Sequence, residues 1–435
     1  MSALARYYNS KQVKVSGYDK TPTPLTSLLK GEGIEVHFED NIEMINKEAD
    51  FVVYTPAIPK DHKELNYYKE NGYNLKKRSE VLGSITKNNF NICVAGTHGK
   101  TTTSTMIAHL LRDTGYGCNA FLGGIAANYN TNFWSSEKNV CVAEADEYDR
   151  SFLQLSPDVA IITAMDADHL DIYGDEKTMQ DAFIQFTGKI KSGGLLISKK
   201  GIVRSGEFVA DQKLTYSATG ATADIHPANL RVINGSYVFD VVVKDKVIKG
   251  VALNMGGMHN VENAIAAIAV AVHVGIDEEK IKKAVANFEG VKRRFEYVVK
   301  TADRVVIDDY AHHPEELRAL IEGAKGLFPG KKCTVLFQPH LFSRTNDLAD
   351  GFAEVLSMAD ETIVLPIYPA RELPMPGVTS QLVLNKMTNE KRSVKEKEEV
   401  LNWVKDNDTE LLIISGAGDI DALVEPIKKI ISNKQ

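Results

Sequence analysis

The most chemically loaded stretch of the chain is Gly96-Thr97-His98-Gly99-Lys100-Thr101-Thr102-Thr103, between an apolar strand-like run and a helical one. Glycines let the backbone curl so that several N–H groups converge on phosphate oxygens. A helix starting there adds the positive end of its dipole. Lys100 has the reach for terminal phosphates, and the Thr101 hydroxyl suits Mg²⁺. A strict Walker sequence needs glycine six residues before the lysine, where Val94 stands, so the run is a shortened variant, G-T-x-G-K-T. The plainer alternative is a glycine-rich turn with no ligand. Against it, a lysine and three threonines at a helix start satisfy nothing in a core.

A metal needs more than one hydroxyl. The apolar run 139–143 ends in Glu144-Ala145-Asp146-Glu147, and the run 159–163 leads to Asp166-Ala167-Asp168-His169-Leu170-Asp171. Alone, each acidic cluster reads as a solvated loop. Beside a phosphate loop, three strand ends offer Thr101, a carboxylate of one of these clusters and a histidine to one place, where α/β sheets bind their ligands. Mg²⁺ prefers oxygen donors and retained water, so a histidine suits a second ion.

Those residues need a scaffold. Short β-branched runs alternate with helical stretches, the pattern of parallel α/β sheets. Residues 1–89 hold strand-like runs at 12–16, 34–38 and 51–55, and Pro24 suits a helix start. Residues 90–294 hold strands at 92–95, 140–143, 159–163 and 195–198, then a β-rich insert, 225–253. Asn234-Gly235 and Lys244-Asp245-Lys246 read as its hairpin turns, and the small-residue run 264–274 as a closely packed helix. Residues 295–435 repeat the pattern, with strands at 305–307, 334–337, 362–365 and 411–414 and helices starting near Pro314, Asp347 and Ile420. The charge-dense run 386–405 reads as a solvated helix.

Composition narrows the class. The 435 residues are 43% hydrophobic and 25% charged, which excludes disordered, collagenous and disulfide-stapled chains. A net charge of −7 argues against a non-specific nucleic-acid binder. The longest apolar run, 264–272, is too short to span a bilayer, and no signal peptide is read at the start. Four dispersed cysteines fit a reduced compartment. A cytoplasmic multidomain enzyme or nucleotide switch remains.

The motifs together resemble the Mur ligases of peptidoglycan synthesis, over nearly the whole chain. The carriers are the phosphate loop, Glu144-Ala145-Asp146-Glu147, Asp168-His169, His259-Asn260-Val261-Glu262-Asn263, Arg293-Arg294-Phe295, Asp308-Asp309-Tyr310-Ala311-His312-His313-Pro314 and Gln338-Pro339-His340-Leu341-Phe342-Ser343-Arg344-Thr345. The resemblance implies an N-terminal Rossmann-like domain for a UDP-sugar, a central P-loop ATPase-type domain and a C-terminal Rossmann-like domain for an amino acid. It implies that ATP phosphorylates the lactyl carboxylate of UDP-N-acetylmuramate and that the amine of L-alanine displaces the phosphate. Gly96, Thr97, His98, Gly99, Lys100, Thr101 and Thr102 would hold the phosphates; Thr101 and Glu144 one Mg²⁺; His169 a second. His259, Asn260 and Asn263 would contact adenine, with helix capping the plainer role for Asn260. Arg294 and Asp309 would reach the nucleotide on closure. Tyr310, His340 and Arg344 would surround L-alanine, Arg344 forking onto its carboxylate and His340 assisting amine deprotonation. Asp19 would serve the sugar nucleotide. Lys100, His169, His340 and Arg344 are the expected catalytic residues.

Leu341 departs from the family, many of whose members carry arginine there, so carboxylate binding would rest on Arg344 alone. The family also begins with a strand and G-x-G-G-x-G-M-S, whereas this chain starts at Met1-Ser2. The expectation is a first domain lacking a central strand, roughly 20 residues with its turn. Two competitors stand beside the L-alanine reading: a related ligase that attaches an intact tripeptide, which Glu147-Tyr148-Asp149 suits, and a nucleotide switch. A third domain with its own strand-end polar residues argues against the switch.

Overall fold

The computed structural model describes residues 1–55, 58–166, 170–370 and 372–434. Its architecture is mixed α/β with parallel-rich sheets. The central sheet has ten strands among the described residues, in the order Lys246–Leu253, Ser236–Val243, Ile225–Ile233, Gln212–Tyr216, Leu195–Lys199, Val159–Ile162, Phe90–Ala95, Val140–Ala145, Asn119–Ala126 and Thr131–Trp134. The six from Gln212–Tyr216 through to Asn119–Ala126 pair in parallel. Every residue of Val159–Ile162 is buried, as expected of a strand covered on both faces. The β-rich insert forms antiparallel hairpins turning at Asn234-Gly235 and Lys244-Asp245, as their residue types predict.

Two helices carry the phosphate-loop side of this sheet. Lys100–Asp113 follows the loop, and Met258–His273 lies against it. The second helix is lined with Ala264, Ala266, Ala267, Ala269 and Ala271, each at most 2% exposed. Small side chains let the two helices approach closely beneath the loop. Their apolar faces join Val94, Val142 and Ile161 in one core cluster. The opposite sheet face packs Phe152, Phe183 and Phe186 against Cys93, Ala143 and Ile162.

The C-terminal sheet runs Glu296–Lys300, Val305–Asp309, Leu411–Ser415, Cys333–Phe337, Glu361–Val364, Lys391–Val394, parallel except for the first strand. In the N-terminal region Ser16–Tyr18 pairs with Glu35–His37, and Val52–Tyr54 with Leu75–Lys77. The two pairs are separate sheets among the described residues. Helix Pro24–Gly31 starts at its proline, capped by Thr23.

Several expectations change. The run 386–405 is not one helix: it holds the edge strand Lys391–Val394 and the helix Lys397–Asp406. Exposed charges such as Lys391 and Arg392 suit a sheet edge as well as a helix face. The helix expected near Asp347 begins at Ala349 and is preceded by a short helix, Phe342–Asp347, and the last helix is preceded by a 3₁₀ turn, Asp419–Leu423. Strands Asn119–Ala126 and Thr131–Trp134 were hidden by their glycines and polar residues.

Phe183 is fully buried between the sheet and Phe152. Phe183→Ala should destabilise the chain by about 3–5 kcal/mol through lost burial and the cavity left behind. Urea unfolding checks this, and a loss below about 1 kcal/mol would show the packing here to be loose.

Candidate active site

The phosphate loop is shaped by two glycines in conformations side chains avoid. Gly96 has φ +138° and Gly99 φ +80°. A Cβ on Gly96 would lie 2.1 Å from Thr163 Oγ1, so the loop needs glycine to nest against the end of Val159–Ile162. Thr163 fastens it there: its hydroxyl reaches the Ala95 carbonyl at 3.1 Å and also the His98 carbonyl. The Thr97 amide donates to Ala164 O at 3.2 Å, and the Thr97 hydroxyl accepts from the Asp166 amide at 3.2 Å. Thr97 and Thr102 are buried and His98 is exposed.

Lys100 opens the helix. Its ammonium donates to the Gly96 carbonyl at 2.6 Å and to Glu147 Oε1 at 2.7 Å. One residue on, Thr101 Oγ1 donates to Glu144 Oε2 at 3.1 Å. Glu144 Oε1 accepts from the Gly123 amide at 2.6 Å and the Ser104 hydroxyl at 3.3 Å. Burial pushes the Glu144 carboxyl above its ordinary range. The Gly123 amide, Thr101, Lys100 and Arg294 act the other way. Gly123 is required at this approach, since a Cβ there would meet Glu144 Oε2 at 2.5 Å. A half-neutralised buried carboxylate beside a hydroxyl, all donors oxygen, fits a hard divalent cation whose remaining ligands are phosphate and water. His169 lies outside the described residues. Among the described residues no group of three or more His, Cys, Asp or Glu side chains gathers as a complete metal cage.

Asn260 and Asn263 are buried at 3% and 7% exposure. Asn263 Oδ1 accepts from Thr103 Oγ1 at 3.1 Å, and its amide reaches Asn260 Oδ1 at 3.3 Å. Asn260 donates to the Gly256 carbonyl at 2.7 Å, while Gly257 occupies the helix N-cap. The pair therefore ties the second helix to the phosphate-loop helix, and Asn260 is not the cap. His259 is exposed at the same helix start.

The C-terminal domain brings its own charges. Asp309 accepts from the Phe295 amide at 2.6 Å and the Ala311 amide at 2.7 Å, next to exposed Arg294. Burial pushes its carboxyl up to about 6, opposed by those amides and by Arg294. Arg294 thus acts electrostatically on both Glu144 and Asp309, linking the central and C-terminal domains. Tyr310 is exposed and faces the Arg293 guanidinium at 5.2 Å. His340 stacks on Tyr368 with ring centres 5.8 Å apart and stands 6.1 Å from the His312 ring. Burial lowers the His340 pKa, and the nearby His312 and Arg344 lower it further. These effects favour the uncharged imidazole, opposed by Glu372. His340 Nδ1 and Arg344 Nη1 are buried without hydrogen-bond partners among the described residues. Leu341 is half-buried at φ +70°, its amide bonded to the Tyr368 carbonyl. Asp19 is exposed at a strand end and accepts from the Thr21 amide at 3.1 Å.

The structure thus gathers Gly96, Gly99, Lys100, Thr101 and Glu144 at one set of strand ends, and His340 with Arg344 at another. Sequence reasoning missed Gly123, Ser104, Thr163 and His312. The Gly123-Gly124 pair inside an apolar run was the available signal, since strand glycines mark close backbone approach.

The comparisons agree with this geometry. Residues 1–90 match the Mur ligase family catalytic domain, 94–271 the Mur ligase middle domain, and 293–418 the Mur ligase glutamate ligase domain. The chain belongs to the Mur ligase family. It is 48% identical to the UDP-N-acetylmuramate–L-alanine ligase of Flavobacterium johnsoniae, covering 99% of this chain and 95% of that protein. The corresponding ligase of Porphyromonas gingivalis is 47% identical, covering 99% and 96%. Among solved structures, the UDP-N-acetylmuramate-alanine ligase MurC from Thermotoga maritima superposes with a TM-score of 0.84 at 26% identity, covering 100% and 97%.

Gly123→Ala should lower turnover at least tenfold while the chain still folds, because the added methyl displaces Glu144 rather than a core side chain. Steady-state kinetics beside circular dichroism checks this. Undiminished turnover would show that the close approach to Glu144 is dispensable.

Proposed function

We propose that the chain is an ATP-dependent ligase that joins L-alanine to the lactyl carboxylate of UDP-N-acetylmuramate, in peptidoglycan precursor synthesis. The observation that carries the reading is the convergence of Lys100, Thr101 and Glu144 at the ends of two adjacent strands. Arg294, at the boundary with the third domain, acts electrostatically on Glu144 and on Asp309. Full-length likeness to L-alanine ligases supports the choice of substrates.

The domains are assigned as 1–89 for the sugar nucleotide, 90–294 for ATP and 295–435 for the amino acid. A carboxylate resists attack by an amine until it carries a leaving group. ATP supplies one by phosphorylating it, and the enzyme's task is positioning and charge neutralisation. The Gly96–Thr102 backbone cradles the phosphates and Lys100 engages the terminal ones. Thr101 and Glu144 would hold one Mg²⁺ and His169 would help hold a second; bound there, the metal would neutralise phosphate charge. His259, Asn260 and Asn263 border the adenine pocket, and Arg294 with Asp309 completes the site on domain closure. Arg344, with its free N–H, receives the L-alanine carboxylate beside Tyr310. His340, in its uncharged form, is suited to take a proton from the ammonium, freeing the amine for attack. Asp19 belongs to the sugar-nucleotide side. No helix among the described residues is long and apolar enough to cross a membrane. The soluble substrates place the reaction in the cytoplasm.

The murein peptide ligase of Psychrobacter arcticus shares the fold, with a TM-score of 0.66 at 22% identity. Phosphate release with UDP-N-acetylmuramate and ATP should therefore be assayed with L-alanine and, separately, with tripeptide. Release dependent on L-alanine is expected, and Arg344→Lys should raise the KM for L-alanine far more than that for ATP, since lysine keeps charge but loses the fork. Release only with tripeptide would overturn the substrate assignment.

A further inference from the structure

Lys100 is not free in the phosphate loop. Its partner, Glu147, is fully buried, with its carboxylate oxygen 2.7 Å from the ammonium. An ammonium has three donors. The Gly96 carbonyl and Glu147 take two, leaving one for a phosphate. The short contact between a buried carboxylate and the ammonium ties the position of the lysine to that of Glu147. Where Glu147 sits, Lys100 sits.

Glu147 in turn depends on a backbone that local preferences disfavour. Asp149 and Arg150 are consecutive left-handed residues, at φ +52° and +55°, and neither is glycine. Such a pair persists only where its surroundings hold it. Within the segment, the Arg150 amide reaches the Glu147 carbonyl and the Phe152 amide the Asp146 carbonyl, each at 2.9 Å. The Tyr173 hydroxyl also donates to the Glu147 carbonyl. Further restraint comes from the N-terminal region. Arg78 lies 3.3 Å from Asp146, and Lys77 lies 3.4 Å from Asp149. Helix Arg78–Thr86 packs so tightly that a Cβ on Gly83 would meet the Gln154 carbonyl at 2.7 Å. Its Val81 and Leu82 share an apolar cluster with Phe152 and Leu155. Lys77 also ends the parallel strand Leu75–Lys77, and the carboxyl end of such strands is where α/β sheets receive ligands.

We propose that Glu147 is a positioning residue for Lys100, and that residues 146–154 transmit the state of the sugar-nucleotide domain to the phosphate loop. The inference rests on the assignment of residues 1–89 to UDP-N-acetylmuramate. A ligand at the Lys77–Arg78 junction shifts the segment, Glu147 follows, and the lysine's remaining N–H is aimed at or away from the β-phosphate. Coupling of this kind is reciprocal. It makes commitment of ATP conditional on the acceptor.

The test is calorimetric titration of the full chain with ADP, with and without saturating UDP-N-acetylmuramate. ADP lacks the phosphate that would touch the lactyl carboxylate, so direct contact between ligands is absent. The ADP Kd should differ about two- to fivefold between the two conditions, the scale half-exposed ion pairs support. In the double variant Lys77→Met/Arg78→Met the ratio should fall to 1, with ADP affinity alone nearly unchanged. Exchanging the charges, Arg78→Glu with Asp146→Arg, should restore part of it. Glu147→Gln should lower kcat at least tenfold and leave the KM for L-alanine unchanged. A wild-type ratio of 1, a ratio that survives in the double variant, or a normal kcat in Glu147→Gln would overturn the proposal. Wild-type phosphate release with L-alanine, measured in parallel, separates these failures from a failure of the ligase assignment.

Discussion

The site depends on one buried carboxylate. Glu144 ends a central strand, where burial disfavours its charge, and three donors partly offset that cost: the Gly123 amide and the hydroxyls of Thr101 and Ser104. Those donors come from the neighbouring strand and from the phosphate-loop helix. The carboxylate therefore fixes the spacing between the sheet and the helix that carries Lys100. Three hydrogen bonds do not supply the positive charge that a buried anion wants. Lys100 and Arg294 supply part of it, and the oxygen donors of Glu144 and Thr101 would suit a divalent cation bound together with phosphate.

The rest of the molecule serves that point. The alanine-lined helix under the loop brings Asn260 and Asn263 close enough to bond Thr103, which stiffens the helix start. The C-terminal domain contributes charge from the other side, with Arg294 acting on Glu144 and Asp309 alike. It also holds His340, whose pKa is lowered by burial, His312 and Arg344, and an Arg344 N–H that is buried without a hydrogen-bond partner among the described residues.

Much of this was legible in the chain. Apolar strand runs ending in glycine or acid marked the phosphate loop and Glu144, because ligand sites at strand ends leave an abrupt change from buried to polar residues. Asn234-Gly235 and Lys244-Asp245 fixed the insert's hairpins by turn chemistry alone. The failures have physical causes. Asn119–Ala126 carries Gly123-Gly124 where a strand would carry β-branched residues, since a side chain there would strike Glu144 or Val291. Lys391–Val394 is an edge strand, whose exposed charges imitate a solvated helix. Glu147 stood in a recognised motif, yet its role depends on burial and on a left-handed turn that residue types did not announce.

The central claim is that Thr101 and Glu144 form a cation site that exists for the nucleotide phosphates. Its most direct test is ADP affinity measured calorimetrically across a Mg²⁺ titration, in the wild-type chain and in Glu144→Ala. Wild-type affinity should rise steeply with Mg²⁺, and the variant should lose most of that dependence while still folding. An unchanged Mg²⁺ dependence in Glu144→Ala would contradict the account.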